Sequence, residues 1–327
     1  MISLSAALAL IIATVFVIPL IIRLSAETRH RRRFADEGVN AQHEQVAADV
    51  ARHAQRRAVV SVAFAIALFV AIASVGIGAP QLLGLPFGIA PGLAVSGGLL
   101  LFAASAPLRI AQPARNSAEL NRRHPWSFGP RWVFVLPLAI AAAFVALLVA
   151  TGLTASADEM GLSRAITAAD ATTSSTAGPY PGWFYGVPLI AVTVVLAVST
   201  LLALSRVSAT PSLPNEGLAE LDRQWRSVST LVITKLSTSA LLLYFGGTAF
   251  IAGQATRNVA TTYTALGDAF SSTFRQPEFA IAVSLQLLGG LLAISGLVFL
   301  AAAVSSALTL RMKVQFPADT APAAGRA

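Results

Sequence analysis

Seven stretches of the chain stay apolar for about twenty residues or more, at about 3–23, 58–78, 88–107, 132–153, 184–205, 228–252 and 279–310. A helix needs that length to cross a hydrocarbon core roughly 30 Å thick. Inside lipid every backbone N–H and C=O has to be satisfied within the segment, so each stretch is expected to be a helix. The predicted fold is all-α: a polytopic transmembrane bundle of about seven helices, with residues 1–327 forming a single integral membrane domain. Composition agrees, at 55% hydrophobic and 12% charged with a mean hydropathy of +0.70. A soluble domain carries roughly a quarter charged residues. There is no cysteine, which removes disulfides, thiolate metal sites and cysteine nucleophiles.

The net charge of +8 is distributed by topology. Of the 23 basic residues, only Arg164, Arg257 and Arg275 fall in the second, fourth and sixth connections. The rest belong to the opposite side, including Arg52, Arg56, Arg57, Arg131, Arg206, Arg223 and Arg226, with Lys235 just inside the sixth run. Counting acids as well, the two faces carry about +10 and −2. Basic residues stay on the cytoplasmic side, so seven crossings put the N-terminus outside and the C-terminus inside. The first run has no basic segment before it, and Leu24-Ser25-Ala26 is a poor cleavage site, so it reads as an uncleaved anchor.

Two outer connections have some length. Residues 154–183 are rich in Ser, Thr and Ala, and residues 253–278 set Tyr263, Phe270 and Phe274 among polar residues. These extracellular loops are open to two readings, short surface helix or flexible chain. On the inner side, residues 40–57 read as a polar helix leading into the second run, and 312–327 as a disordered cytoplasmic tail. Ala118-Glu119-Leu120-Asn121-Arg122 resembles Ala219-Glu220-Leu221-Asp222-Arg223, with a looser echo at Ala48–Arg52. Three repeated helical hairpins would account for this, and so would the ordinary composition of short amphipathic loops.

Chemistry inside the membrane is sparse. All fifteen carboxylates lie in loops, tails or helix mouths, and His30, His43, His53 and His124 are all on the basic side. A proton relay, a haem ligand or a zinc ligand set would need titratable groups within the runs. No metal or cofactor is therefore expected. Ser96-Gly97 and Ser295-Gly296 resemble the Ser-Gly step of rhomboid-type proteases, but the embedded histidine base is missing. No Gly-rich phosphate loop is present, so any ATP hydrolysis belongs to a partner.

Lys235 is the one charge well inside a run, among Thr230, Thr234, Ser237, Thr238 and Ser239. Snorkelling to the inner interface is its expected role, with ligand contact as the alternative. Tyr244 and Gln286 fall at comparable depths and could bond each other or a ligand. Gly88, Gly92 and Ser96, Gly289 with Ala293, and Ala301 with Ser305 have helix-packing spacing. The stretch Gly178-Pro179-Tyr180-Pro181-Gly182-Trp183-Phe184-Tyr185-Gly186 reads first as an interface anchor, with Trp183 and Tyr185 as candidate ligand contacts. Arg123-His124-Pro125-Trp126 is its inner counterpart. The cluster Arg29–Arg33 is expected to meet anionic lipid headgroups rather than nucleic acid, because no aromatic stacking platform accompanies it.

Lys235 and Lys313 are the only lysines beside abundant arginine and alanine. With the Arg-Arg-His-Pro-Trp and Tyr-Pro-Gly-Trp-Phe-Tyr-Gly stretches, the chain resembles multi-pass membrane proteins of actinobacteria that carry no assigned function. That resemblance implies a bacterial plasma membrane and supplies no catalytic residue. The functional expectation is a non-enzymatic, transport-associated or permease-like subunit. Its loops around Glu119, Arg122, Glu220 and Arg223 would dock an ATPase or regulatory partner. The alternatives are a sensor or assembly protein reading an envelope component through its outer loops, and, third, an enzyme on lipid-linked substrates using Asp158, Glu159 or Asp268.

Overall fold

The computed structural model describes residues 40–105, 128–169, 174–210, 219–266 and 269–308. The first run, the Arg29–Arg33 cluster, Glu119, Arg122, Asp268 and the 312–327 tail lie outside the described residues. Six long helices are present: α1 (Asn40–Gly78), α2 (Leu85–Ala104), α3 (Trp132–Thr154), α4 (Trp183–Ala209), α5 (Ala219–Ala260) and α6 (Glu278–Leu308). All six are long and apolar enough to cross a membrane. The described chain is a membrane-type helical bundle, and its helices cover six of the seven predicted runs.

The path is three antiparallel hairpins, α1–α2, α3–α4 and α5–α6, each leaving from and returning to the same end. The polar lead-in expected at 40–57 is continuous with the second run, so α1 is one helix of 39 residues. At about 1.5 Å per residue it is close to 58 Å long, nearly twice the hydrocarbon thickness. Gln55 donates from Nε2 to the Leu308 carbonyl at 2.9 Å, and Arg57 from Nη2 to the Phe102 carbonyl at 3.0 Å. α2 and α6 therefore end level with residues 55–57, and α1 continues beyond them by about four turns.

α5 is the central element and touches each of the other five helices. In its most apolar 18-residue window 72% of the residues are buried, against 22%, 17% and 22% in α1, α3 and α6. The main core gathers Leu99 and Phe102 from α2, Phe144 and Leu148 from α3, Leu189 and Leu196 from α4, and Ile233, Leu236, Leu241 and Tyr244 from α5. Leu138, Leu153, Leu287, Leu291, Ile294 and Val298 are exposed on the outer faces. These are the side chains that a bilayer would cover.

The most extensive helix pair is α5–α6. A Cβ at Gly246 would lie 2.5 Å from the Ala293 nitrogen and 2.6 Å from the Gly289 carbonyl oxygen. A Cβ at Gly289 would meet the Phe250 nitrogen at 2.5 Å. Gly253 faces the Ala282 carbonyl in the same way, at 2.6 Å. Ser239, Gly246, Gly253 and Ala260 recur every seven residues on α5, as do Ala282, Gly289, Gly296 and Ala303 on α6. Seven-residue spacing keeps one seam facing its partner in left-handed helix pairs. Small residues there let two backbones touch, which supplies much of the association energy where no hydrophobic driving force operates.

The loops read as surface helix or flexible chain are instead β-structure. The strands β1 (Ser156–Ala157), β2 (Ser163–Ala169) and β3 (Ser174–Ala177) form an antiparallel sheet in that order. The strands β4 (Thr261–Leu266) and β5 (Ala269–Phe274) form an antiparallel hairpin between α5 and α6. Ser175 Oγ donates to the Val259 carbonyl at 3.2 Å, and Arg275 Nη2 to the Ala169 carbonyl at 3.3 Å. Both elements thus sit together over the end of the bundle opposite Arg57.

The glycine seam gives a matched test. Gly246→Ala should lower stability by about 1–3 kcal/mol, because its methyl group meets backbone that cannot yield. A Cβ at the adjacent Gly247 meets nothing within 4 Å. Gly247→Ala should therefore be neutral or stabilising, by up to about 1 kcal/mol. Thermal unfolding of both variants in one detergent measures the difference.

Candidate functional site

The largest set of converging polar groups among the described residues lies along the seam between α4 and α5. At its foot, Asp222 and Arg226 are four apart on α5 and so share a face. Arg226 is 0% exposed. Its Nε donates to Asp222 Oδ2 at 2.8 Å, and its Nη2 to Asp222 Oδ1 at 3.1 Å. Nη1 reaches the Val207 carbonyl at 2.6 Å and Nη2 the Thr210 carbonyl at 2.8 Å. Those carbonyls belong to the end of α4, where the last turn has no partners of its own. Trp225 Nε1 donates to Asp222 Oδ1 at 2.9 Å, and the guanidinium lies 4.8 Å from the Trp225 ring and 5.4 Å from Phe128.

Two further rungs cross the same seam. Ser237 Oγ and Thr200 Oγ1 are 2.7 Å apart, and Tyr244 Oη and Thr193 Oγ1 are 3.2 Å apart. Thr193 and Thr200 are seven residues apart, as are Ser237 and Tyr244, so the rungs repeat with the helix pairing. Thr193 commits its own proton to the Leu189 carbonyl at 2.8 Å, so Tyr244 is the donor in its pair. Phe144 closes over Tyr244 with ring centroids 4.8 Å apart. The seam ties two helices in register; each of its rungs is spent on another protein group.

The predicted site residues fall elsewhere. Lys235 Nζ donates to Ser306 Oγ at 2.9 Å, tying α5 to the last turn of α6. Tyr244 and Gln286 do not meet: Gln286 packs against Gly253. Gly92 lies against Val192 and Tyr244, so the predicted Gly88-Gly92-Ser96 spacing marks the α2–α4 contact. Arg223 is exposed near the start of α5, and Glu220 belongs to its first turn.

The aromatic stretch before α4 turns largely inward. Tyr180 is 5% exposed, packed by Ala155, Ile166, Ala252, Ala255 and Leu285. Its Oη lies 2.7 Å from Thr154 Oγ1, and its N–H reaches the Arg164 carbonyl at 2.8 Å. Tyr185 Oη donates to the Leu83 carbonyl at 2.6 Å. Trp183 stays 37% exposed and lies against Gly152. Of the aromatic residues read as headgroup anchors, Tyr180 and Tyr185 are joints between the small sheet and three helices.

Asp158 does not converge with Glu159. Its Oδ1 accepts from the Met160 and Leu162 amides at 2.9 and 2.8 Å, and its Oδ2 pairs with Arg164. Burial acts to raise the Asp158 carboxyl, but the Leu162 amide, the Arg164 guanidinium and the Met160 amide outweigh it and hold it below its ordinary value. Asp158 is an ionised turn brace, and Glu159 is exposed beside it. Among the described residues no group of three or more His, Asp or Glu is placed to hold a metal ion. A shallow apolar crevice between α1 and α6 is lined by Val59, Val62, Ala63, Ile66, Val304, Ala307 and Leu308.

No protein family, curated protein or solved structure matches the chain.

The residues that sequence reasoning missed are Asp222, Trp225, Arg226, Thr193 and Thr200. The Asp-x-x-x-Arg spacing was a signal for the first and third; a lone threonine in an apolar run carries none. Replacing Arg226 by Met should destabilise the protein by about 3–5 kcal/mol, because Asp222 is left buried without its partner. The double variant Asp222→Leu/Arg226→Met should recover a substantial part of that loss. Thermal unfolding in detergent reads both.

Proposed function

We propose that this protein is a non-enzymatic, transport-associated subunit of a bacterial plasma membrane, resembling a permease component and working through a cytoplasmic partner. The observation that carries this reading is the shape of the basic end. There α1 continues about four turns past the ends of α2 and α6, and α5 begins about two turns before the level of the α4 terminus. Such helical extensions present charged residues (Asp49 and Arg52 on α1, Arg223 on α5) clear of the hydrocarbon. A soluble partner can reach them without entering lipid.

Orientation follows from the charge bias. With the first run counted, seven crossings place the N-terminus and the β-capped end outside and the basic end in the cytoplasm. The absence of native cysteine makes this directly measurable. A single cysteine at Ser174 should be labelled by an impermeant maleimide in intact cells, and one at Arg223 only after the cells are opened. The reverse pattern would invert the topology and remove the partner-docking argument.

The test of function is purification from native membranes in a gentle detergent, with quantification of what stays bound. A nucleotide-hydrolysing subunit at fixed stoichiometry is the expected result. Reversing the charge at Arg52 and Arg223 together should release that subunit while leaving the protein in the membrane. Recovery of the protein alone from the native membrane would count against the reading.

A further inference from the structure

One arginine is held at the C-terminal end of α2, and a second lies near it on α4. Arg57 of α1 is half-buried, with Nε donating to Ser105 Oγ at 3.1 Å and Nη2 to the Phe102 carbonyl at 3.0 Å. Its guanidinium lies 4.5 Å from the centre of the Phe102 ring. A guanidinium has five N–H donors in a fixed fork, so these bonds orient Arg57 without exhausting it.

Arg206 of α4 is exposed. α2 and α4 run in the same direction, and their contact is in register: Gly88 meets Leu189, and Gly92 meets Val192. Carrying that offset along both helices brings Arg206 level with Ser105, the residue Arg57 already holds. The two guanidinium charges are near enough to act on one another. Among the described residues no carboxylate pairs with either.

The membrane-facing side below these charges is apolar. Val60 and Phe64 lie three and seven residues from Arg57, and Leu202 and Val198 four and eight from Arg206. All four are exposed, as is Leu100 on α2 between them. Helical spacing puts each pair on the face below its arginine. Two like charges near one another at the edge of an exposed apolar face suit a ligand with an anionic head and apolar chains.

We propose that Arg57 and Arg206 clamp the headgroup phosphate of one anionic phospholipid, whose acyl chains lie along the α1–α2–α4 face. Guanidinium matches phosphate in geometry and charge. The proposal rests on the reading that the basic end faces the anionic cytoplasmic leaflet. It is distinct from a diffuse attraction of the basic loops to the membrane surface.

The test uses the full-length protein reconstituted in vesicles of phosphatidylcholine with or without phosphatidylglycerol, then extracted and examined by native mass spectrometry. The wild type should retain phosphatidylglycerol in preference to phosphatidylcholine. Arg206→Gln, a change at an exposed side chain, should weaken that retention by about tenfold, the loss of roughly one charge-assisted hydrogen bond. Arg131→Gln removes the same charge from an exposed position before α3 and should leave retention unchanged. Equal losses in the two variants would reduce the site to a general charge effect, and an unaltered Arg206→Gln would overturn it outright. Displacement of the lipid by inorganic phosphate, with phosphate then bound in its place, would overturn the lipid as ligand. A protein that fails to enter the vesicles at all refutes the membrane reading; one that inserts without lipid preference refutes this site alone.

Discussion

The backbone contact between α5 and α6 at Gly246 and Gly289 is the constraint on which the rest of the bundle depends. Lipid gives apolar helices no general reason to associate, so close packing of backbone on backbone has to supply it. Because this seam occupies one face of α5, the opposite side is left for α2, α3 and α4, and α1 reaches α5 alongside α6, where Ala58 packs with Val232 and Ala307. That is how a single helix comes to touch all five others. Lys235 and Ser306 close the same pair at its basic end.

The second seam sets register rather than proximity. Hydrogen bonds between side chains in membrane proteins average about 0.6 kcal/mol, so Ser237–Thr200 and Tyr244–Thr193 contribute modestly to stability. Their value is geometric, because three rungs along one contact permit one alignment of α4 on α5. Arg226 has the largest stake. By holding the Val207 and Thr210 carbonyls it terminates α4 where it meets the extended start of α5. The desolvation cost of a fully buried guanidinium is offset by Asp222 and by two carbonyls that would otherwise lie open.

The helices were legible in the sequence because lipid imposes a length and forbids unpaired backbone, and every run from 58–78 to 279–310 contains or closely overlaps a helix. The polar lead-in at 40–57 was legible too, and the structure joins it to α1 without a break. The sheets were not. Ser163–Ala169 and Ser174–Ala177 lack the alternation of large apolar and polar residues that announces a strand, since they bury little beyond Ala165 and pair over a surface the helices provide. Tyr180 was misread for the same reason: with no sheet in view, an aromatic residue at a helix mouth belongs to the headgroups. Arg226 was counted as a topology charge, and its spacing from Asp222 was visible but had no stated acceptor until the end of α4 came beside it. Gln286 and Tyr244 share a depth but occupy different seams, which depth alone does not distinguish.

The arrangement also separates where this protein is rigid from where it can act. Between the interfaces, glycine contacts and paired hydroxyls occupy the interior, and the outer faces of α3 and α6 offer lipid little more than Leu, Ile and Val. One end carries a braced cap in which the β2–β3 sheet and the β4–β5 hairpin cross-bond to each other and to α5. The other end carries the projecting helices and guanidinium groups in two contrasting states. Arg226 is saturated by protein acceptors, whereas Arg57 is held by Ser105 and the Phe102 carbonyl and Arg206 is exposed, neither with a carboxylate partner among the described residues. A buried, saturated arginine fixes structure; arginines left without a carboxylate at the bundle edge are where the proposed lipid phosphate would find donors.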